Sequence, residues 1–176
     1  MSKLKKIYHI ADIHIRNLKR HQEYREVFDR LFNDIKQKGT EDSLIYLAGD
    51  LAHAKLEMSP ELLNEINYFL KKCCELCPTI LIAGNHDCNL NNAGRLDVLT
   101  PIVEALDLPN LTYLRNTQSY TYGGVRFDTF SIFDEKENWV FEPLISDTKN
   151  IALFHGPVLD ATTDVGYTIS SRHFTS

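Results

Sequence analysis

Three short apolar runs, each followed by metal-competent side chains, constrain the fold of this chain more than any other feature. The runs cover residues 6–10, 44–47 and 79–82, and each has the β-branched and aromatic composition of a buried strand. They lead directly to Asp12 and His14, to Asp50, and to residues 84–87. Because open α/β sheets place their sites beyond the carboxyl ends of the strands, we expect these side chains to meet at one sheet edge.

Helices are predicted between the strands. Apolar residues recur at three-and-four spacing over 20–38, which predicts an amphipathic helix that ends at Gly39. Ser59 and Pro60 are the expected cap and first residue of a second helix. A third helix is predicted over 96–106, which Pro101 would end or kink unless it lies in the first turn. Strand–helix alternation of this kind indicates an α/β sheet.

The pattern changes after residue 109. Short strands are predicted over 111–114, 119–122 and 125–130, and the two glycines at 123–124 favour a tight hairpin turn. Residues 138–143 are expected to be irregular. A further apolar strand over 151–154 ends at His155, which repeats the arrangement of the first three clusters.

The size and composition of the chain predict one domain over residues 1–176. Its 176 residues, 43% of them hydrophobic, suffice for a single core. We expect a cytoplasmic protein without membrane association, because no apolar stretch approaches the roughly 18 residues that span a bilayer, and the start of the chain lacks a signal-peptide pattern.

The charge of the chain is unevenly distributed. The formal net charge is −5, yet the first 30 residues carry eight Lys/Arg against four acids, a local balance of +4. Arg16, Lys19 and Arg20 directly follow the first cluster, where they could meet a phosphate backbone. An ordinary solvated loop and helix start is the equally weighted alternative.

Five side chains at the ends of four strands form a plausible set of metal ligands: Asp12, His14, Asp50, Asn85 and His155. Carboxylate, imidazole and amide oxygen suit divalent manganese, iron or zinc. Any one of these residues alone could equally be structural, because Asp and Asn after a strand often cap a helix. Together they favour a two-metal site for phosphate-ester hydrolysis, in which both attacking and leaving oxygens are stabilised.

The spacing of these residues adds detail. Asp12 and His14 would point to opposite faces of an extended chain, so the backbone must already turn if both are to reach one ion. Asp50 can bridge two cations through its two oxygens. His86 is the expected proton donor to the leaving oxygen, and Asp87 is expected to hold its imidazole. His53 is a second imidazole that either contacts phosphate or is simply exposed to solvent.

The motifs of residues 12–14, 49–50 and 84–87, with His155, resemble those of the calcineurin-like metallophosphoesterase superfamily. Residues 11–16, and 49–53 followed by 58–60, resemble the SbcD-type DNA double-strand-break-repair nucleases and their phage and viral relatives. The resemblance implies an α/β fold in which a metallophosphoesterase-type β-sandwich is flanked by helices. The resemblance also implies residue roles. Asp12 and His14 would bind one manganese ion, Asn85 and His155 would bind the other, and Asp50 would bridge the two. His86 would donate a proton, and His53 would orient the phosphate.

The same resemblance implies a manganese-dependent DNA exonuclease or endonuclease in repair and recombination, acting with an SbcC-like ATPase. A nucleoid or viral replication site is then an alternative location, and a homodimer stays open. A small-molecule (nucleotide) phosphodiesterase and a catalytically dead scaffold are the alternative functions. Phosphoprotein phosphatases of the superfamily carry Gly-Asn-His-Glu and a later Asp-Arg-Gly, and neither occurs in this sequence.

One departure from the superfamily pattern leads to a further expectation. The Gly-His-x-His that supplies one more His to each metal does not occur, and His173 lacks a second His two residues away. We therefore expect a truncated domain that lacks the final metal-ligand strand, the capping domain and the ATPase-binding helices. Each ion would lose one ligand, so weak or no nuclease activity is expected of these 176 residues.

Overall fold

Two sheets and three α-helices make up the part of the chain described by the computed structural model, which covers residues 3–53, 57–90, 92, 95–143, 148–156, 158, 160–162, 165–166 and 168. In chain order the elements are β1 (Lys6–Ile10), α1 (His21–Lys38), β2 (Ser43–Ala48), α2 (Pro60–Leu76), β3 (Thr79–Ile82), α3 (Leu99–Leu106), β4 (Leu111–Tyr113), β5 (Gln118–Tyr122), β6 (Val125–Phe130), a short 3₁₀ helix (Lys136–Asn138) and β7 (Lys149–Phe154).

The first sheet is parallel, with the strand order β1-β2-β3-β4. The second has the order β5-β6-β7, in which β5 and β6 form an antiparallel hairpin and β7 runs parallel to β6. The predicted α/β architecture is therefore confirmed. Since all four strands of the first sheet run the same way, their carboxyl ends lie along one edge.

Alternate residues of the buried strands serve two separate cores. On one face of the first sheet, Tyr46 and Ile80 pack against Phe127 and Leu153 of the second sheet, which makes a sandwich. On the other face, Ile45 and its neighbours pack against the apolar sides of the helices. Burial on both faces explains why β2 and β3 are continuous apolar runs rather than alternating ones.

The ends of the helices follow from local chemistry. Gly39 has φ +95 after α1, and the Ser59 hydroxyl accepts the amide of Leu62 at 3.2 Å at the start of α2. The third helix begins at Leu99 rather than at residue 96, because the Asp97 carboxylate accepts the amide of Leu99 at 3.0 Å. Pro101 consequently lies in the first turn of α3, where it needs no hydrogen-bond partner.

A half-buried ion pair joins the two long helices. Arg25 of α1 makes a two-pronged contact with Glu65 of α2, with Nε–Oε2 and Nη2–Oε1 distances of 2.5 and 3.0 Å. The Arg25 guanidinium also lies 3.6 Å from the centre of the Tyr68 ring.

Among the described residues, no helix combines the length and the apolar character that a membrane span requires.

Candidate metal centre

The loop after β1 turns sharply, as the spacing of Asp12 and His14 requires. Both residues have positive φ values, +55 and +49, so the chain leaves the extended conformation at each of them. The amide of His14 donates to the carbonyl of Asp50 at 2.9 Å, and the Tyr24 hydroxyl donates to the carbonyl of His14 at 2.7 Å. These bonds hold the His14 side chain over the edge of the sheet. Tyr24 lies on α1, and the apolar spacing that predicts this helix gives no sign of the contact.

The loops after β2 and β3 touch at two glycines. A Cβ at Gly49, where φ is +85, would lie 2.6 Å from the amide nitrogen of Gly84. A Cβ at Gly84 would lie 2.5 Å from the amide nitrogen of Asp50. Only glycine fits this close approach, which brings the Asp50 side chain next to the loop of residues 84–87.

Asp50 lies at the centre of the five predicted ligands. Its Oδ2 atom is 3.4 Å from Nε2 of His14 and also 3.4 Å from Nε2 of His155. Nε2 of His14 is 3.8 Å from Oδ1 of Asp12, and Nε2 of His155 is 3.3 Å from Oδ1 of Asn85. The structure thus brings all five side chains together around the central carboxylate, and ligand atoms of Asp12, Asp50 and His155 lie within 4.8 Å of one another.

His155 is oriented by the backbone of β2. Its Nδ1 lies 2.5 Å from the carbonyl oxygen of Ala48, so Nδ1–H donates there and Nε2 faces the carboxylates. The hydrogen bond with Asp50 is the main reason that the pKa of His155 is raised to about 9. The Asp50 carboxylate that attracts this proton would also attract a metal cation, and His155 would release the proton when it binds the metal.

The other charges of the site agree with a cation. Burial alone would raise the pKa of Asp50, but hydrogen bonds from His155 and from the His86 amide outweigh it and leave the pKa below its usual value. Burial lowers the pKa of His14, which favours the neutral imidazole that binds metals. Its buried Nδ1 has no hydrogen-bond partner within the described residues. Two carboxylates, two imidazoles and an amide oxygen fit divalent metal ions.

Three histidines form a second cluster beside this group. The ring of His14 lies 4.7 Å from that of His86 and 5.5 Å from that of His53, and ligand atoms of all three lie within 4.8 Å of one another. Nδ1 of His86 is 2.9 Å from the carbonyl oxygen of His53. The His86 ring is therefore fixed by the backbone, and His53 is exposed.

The sequence predicts that Asp87 holds the imidazole of His86, but the structure gives its side chain other partners. Its side chain is fully buried and accepts three backbone amides, those of Asp50 at 2.7 Å, Gly84 at 2.9 Å and Ala52 at 3.1 Å. Burial raises its pKa to about 6 against the opposing effect of these amides. The expected contact with the His86 imidazole is replaced by a role in joining two loops, which the sequence did not signal.

Cavities flank the centre on two sides. One of about 330 Å³ is lined by His14, Arg16 and Arg20 among others, although Arg20 is paired with Glu23. A larger cleft of about 700 Å³ is lined by Asn85 and His155 together with Trp139 and other residues. Lys19 is exposed. His173 lies outside the described residues.

Comparisons with known proteins agree with this geometry. The family model described as calcineurin-like phosphoesterase matches residues 5–175. An uncharacterized protein of Acanthamoeba polyphaga mimivirus is 44% identical over 184 residues, which include 97% of this chain. The chain spans 13% of the length of that relative.

Proposed function

The chain belongs to the calcineurin-like phosphoesterase family, whose members carry out metal-dependent phosphoester hydrolysis, and on that premise we propose that it cleaves phosphodiester bonds with two divalent ions. The observation that carries this proposal is the position of Asp50, whose Oδ2 atom is equally distant, at 3.4 Å, from His14 and His155. A carboxylate so placed can serve two cations at once.

In this proposal Asp12 and His14 hold one ion, Asn85 and His155 hold the other, and Asp50 bridges them. When bound, such ions polarise the phosphoryl oxygens and activate the attacking water. Manganese is the proposed metal because the sequence resembles manganese-dependent nucleases; the mixed oxygen and imidazole donors fit manganese, as they also fit iron or zinc.

The remaining histidines act on the substrate. His86 donates a proton from Nε2 to the leaving oxygen. Because Nδ1–H donates to the carbonyl oxygen of His53, this step needs the imidazolium form, which carries a proton on both ring nitrogens. The exposed imidazole of His53 orients the phosphate from the open side. Asp87 acts indirectly as a positioning residue, because its carboxylate fixes the amides of Asp50 and Gly84.

The proposed substrate is DNA, and the proposed partner is an SbcC-like ATPase. The proposed process is DNA repair or recombination, in the cytoplasm, the nucleoid or a viral replication site. The exposed cations Arg16 and Lys19 follow the first ligand loop, where they suit a polyanionic strand. Arg16 lines a cavity together with His14, so a phosphate bound at the centre has a cation beside it.

A substrate comparison tests this proposal. The purified chain is incubated with Mn²⁺ and, in turn, single-stranded DNA, duplex DNA ends, cyclic nucleotides and a phosphopeptide, with Asp50→Asn as the matched inactive control. The proposal expects DNA cleavage that is weak, because each ion is expected to lack one ligand, but that exceeds the rate of the control and is abolished by EDTA. Hydrolysis of cyclic nucleotides alone would replace DNA with a small-molecule substrate, and equal rates in the chain and the control would refute the proposal.

A further inference from the structure

An aromatic cleft opens directly beside the metal centre. Its volume is about 700 Å³, and the residues that matter to the argument are Asn85, Leu90, Ile132, Trp139, Phe154 and His155. Two of these are proposed metal ligands, so a molecule in the cleft lies next to a phosphate held at the centre. Pockets of this size accommodate small organic ligands of nucleotide dimensions.

The aromatic wall of the cleft is held in a fixed orientation. The indole N–H of Trp139 donates to the carbonyl of Ser131 at 3.1 Å, and its ring packs edge-on against Phe130 and Phe154 at 5.4 and 5.7 Å. Phe154 is nevertheless 38% exposed, and Leu90 is 48% exposed. A rigid wall of this kind presents aromatic surface to a ligand without losing side-chain entropy.

Polar groups accompany the aromatic wall. Asp134 and Glu135 also line the cleft, and carboxylate oxygens accept hydrogen bonds from the ring N–H and amino groups of nucleobases. Oδ2 of Asp134 accepts the amide of Thr117 at 2.6 Å, which fixes that side chain. Flat apolar surface with hydrogen-bond acceptors at its margin suits a base better than it suits a lipid chain.

The cleft continues away from the metal centre. Leu90, Ile132, Asp134 and Glu135 also line a second cavity of about 310 Å³, and the exposed Arg95 lies at that cavity. A strand that follows this path would pass from the metal-bound phosphate, over the aromatic wall, to a cation. A single mononucleotide would not need the second cavity.

We propose that this cleft binds an unstacked nucleobase of the substrate strand, adjacent to the phosphate that is cleaved. The inference rests on the proposed phosphodiesterase function and narrows its substrate class to a strand with an unpaired nucleotide at the cleavage site. Stacking on aromatic side chains tolerates any base, so the cleft confers a preference for unpaired strands rather than for a sequence.

Trp139 is the only tryptophan of the chain, so its fluorescence reports directly on the cleft. The protein is titrated in Ca²⁺ with a thymidine dinucleotide and, separately, with the same deoxyribose-phosphate backbone without bases. The proposal expects saturable quenching by the dinucleotide and none by the abasic compound. Equal responses to both compounds, or no response to either, would overturn it.

Variants of Trp139 distinguish a loss of base stacking from a loss of folding. Calorimetry in Ca²⁺ is expected to show about tenfold weaker dinucleotide binding for Trp139→Leu and near-normal binding for Trp139→Phe, since phenylalanine retains the stacking surface. Val140→Ser is the matched control, because Val140 is exposed next to Trp139 and does not line the cleft. Equal affinities in all three variants would refute the stacking role.

A separate measurement of Mn²⁺ binding distinguishes failure of the base-site proposal from failure of the proposed metal centre. Mn²⁺ affinity should be the same in Trp139→Leu as in the parent chain, because Trp139 is not among the proposed ligands. Intact Mn²⁺ binding without discrimination between dinucleotide and abasic compound would reject the base site alone. If the parent chain does not bind Mn²⁺, the proposed metal centre is rejected instead.

Discussion

The side chain of Asp87 accepts the backbone amide of Asp50 at 2.7 Å, so one buried carboxylate fixes the position of another. The same oxygen accepts the amide of Gly84 at 2.9 Å, and the second oxygen accepts the amide of Ala52 at 3.1 Å. The loops after β2 and β3 are thereby held as one unit, and the proposed bridging ligand lies within it.

The first prediction follows from this arrangement. Asp87→Asn replaces one acceptor oxygen by an amide group that faces backbone donors, so it should lower the free energy of unfolding by roughly 2–3 kcal/mol. Mn²⁺ affinity should fall by about 10- to 100-fold, as for other residues that orient metal ligands. Urea denaturation and calorimetry measure the two effects. Asp107→Asn, an exposed position, should change neither, and a normal Mn²⁺ affinity in Asp87→Asn would contradict the positioning role.

A second prediction concerns the contact between the glycine loops. Gly84→Ala places a methyl group 2.5 Å from the amide nitrogen of Asp50, so the loops must separate at a cost of about 1–3 kcal/mol. Gly124→Asn is the control, because nothing lies within 4 Å of a Cβ there and Asn tolerates its φ of +78. Thermal unfolding with and without Mn²⁺ should show loss of the metal-dependent stabilisation in Gly84→Ala only. Equal behaviour of the two variants would show that the close approach is unimportant.

A third prediction gives the pH dependence of stability. Burial would raise the pKa of Asp97, but bonds from Thr100, Arg115 and Tyr113 lower it below the ordinary 3.8. A carboxyl group whose pKa is lower in the folded state stabilises the protein above its unfolded pKa, and this contribution is lost as the pH falls through the folded value. Asp97→Asn should therefore cost about 2 kcal/mol at neutral pH, and the difference from the parent chain should shrink below pH 3.8.

Urea denaturation from pH 7 to pH 3 measures that difference. Glu104→Gln, an exposed change on α3, the helix that follows Asp97, serves as the control and should follow the parent chain throughout. A difference between Asp97→Asn and the parent that stays constant down to the lowest pH would mean that the ionised carboxylate does not supply the stabilisation.

Much of the fold could be predicted because strand and helix periodicity are local properties of the sequence. The hairpin at residues 123–124 and all three helices follow from turn, cap and spacing chemistry. The start of α3 could not be placed, because it depends on Asp97, whose other partners include the distant Arg115 at 3.0 Å. Likewise, the convergence of the five ligands followed from strand order, whereas the position of Asp87 depended on a loop contact.

The aromatic cleft illustrates a second limit. Residues 138–143 are predicted to be irregular, and only the first of them belongs to an element, as the last residue of the short 3₁₀ helix Lys136–Asn138. Irregular segments carry no periodicity, so nothing in the sequence indicated that Trp139 would pack against Phe154 beside His155. Such contacts become visible only when the second sheet is assembled.

Calorimetric titration with Mn²⁺ tests the central claim most directly. We expect two bound ions for the parent chain, about tenfold or more weaker binding of both in Asp50→Asn, and two ions bound as in the parent by the exposed control Glu104→Gln. Circular dichroism confirms that each variant is folded. Binding of two ions that is unchanged in Asp50→Asn, or no binding in the parent chain, would contradict the claim.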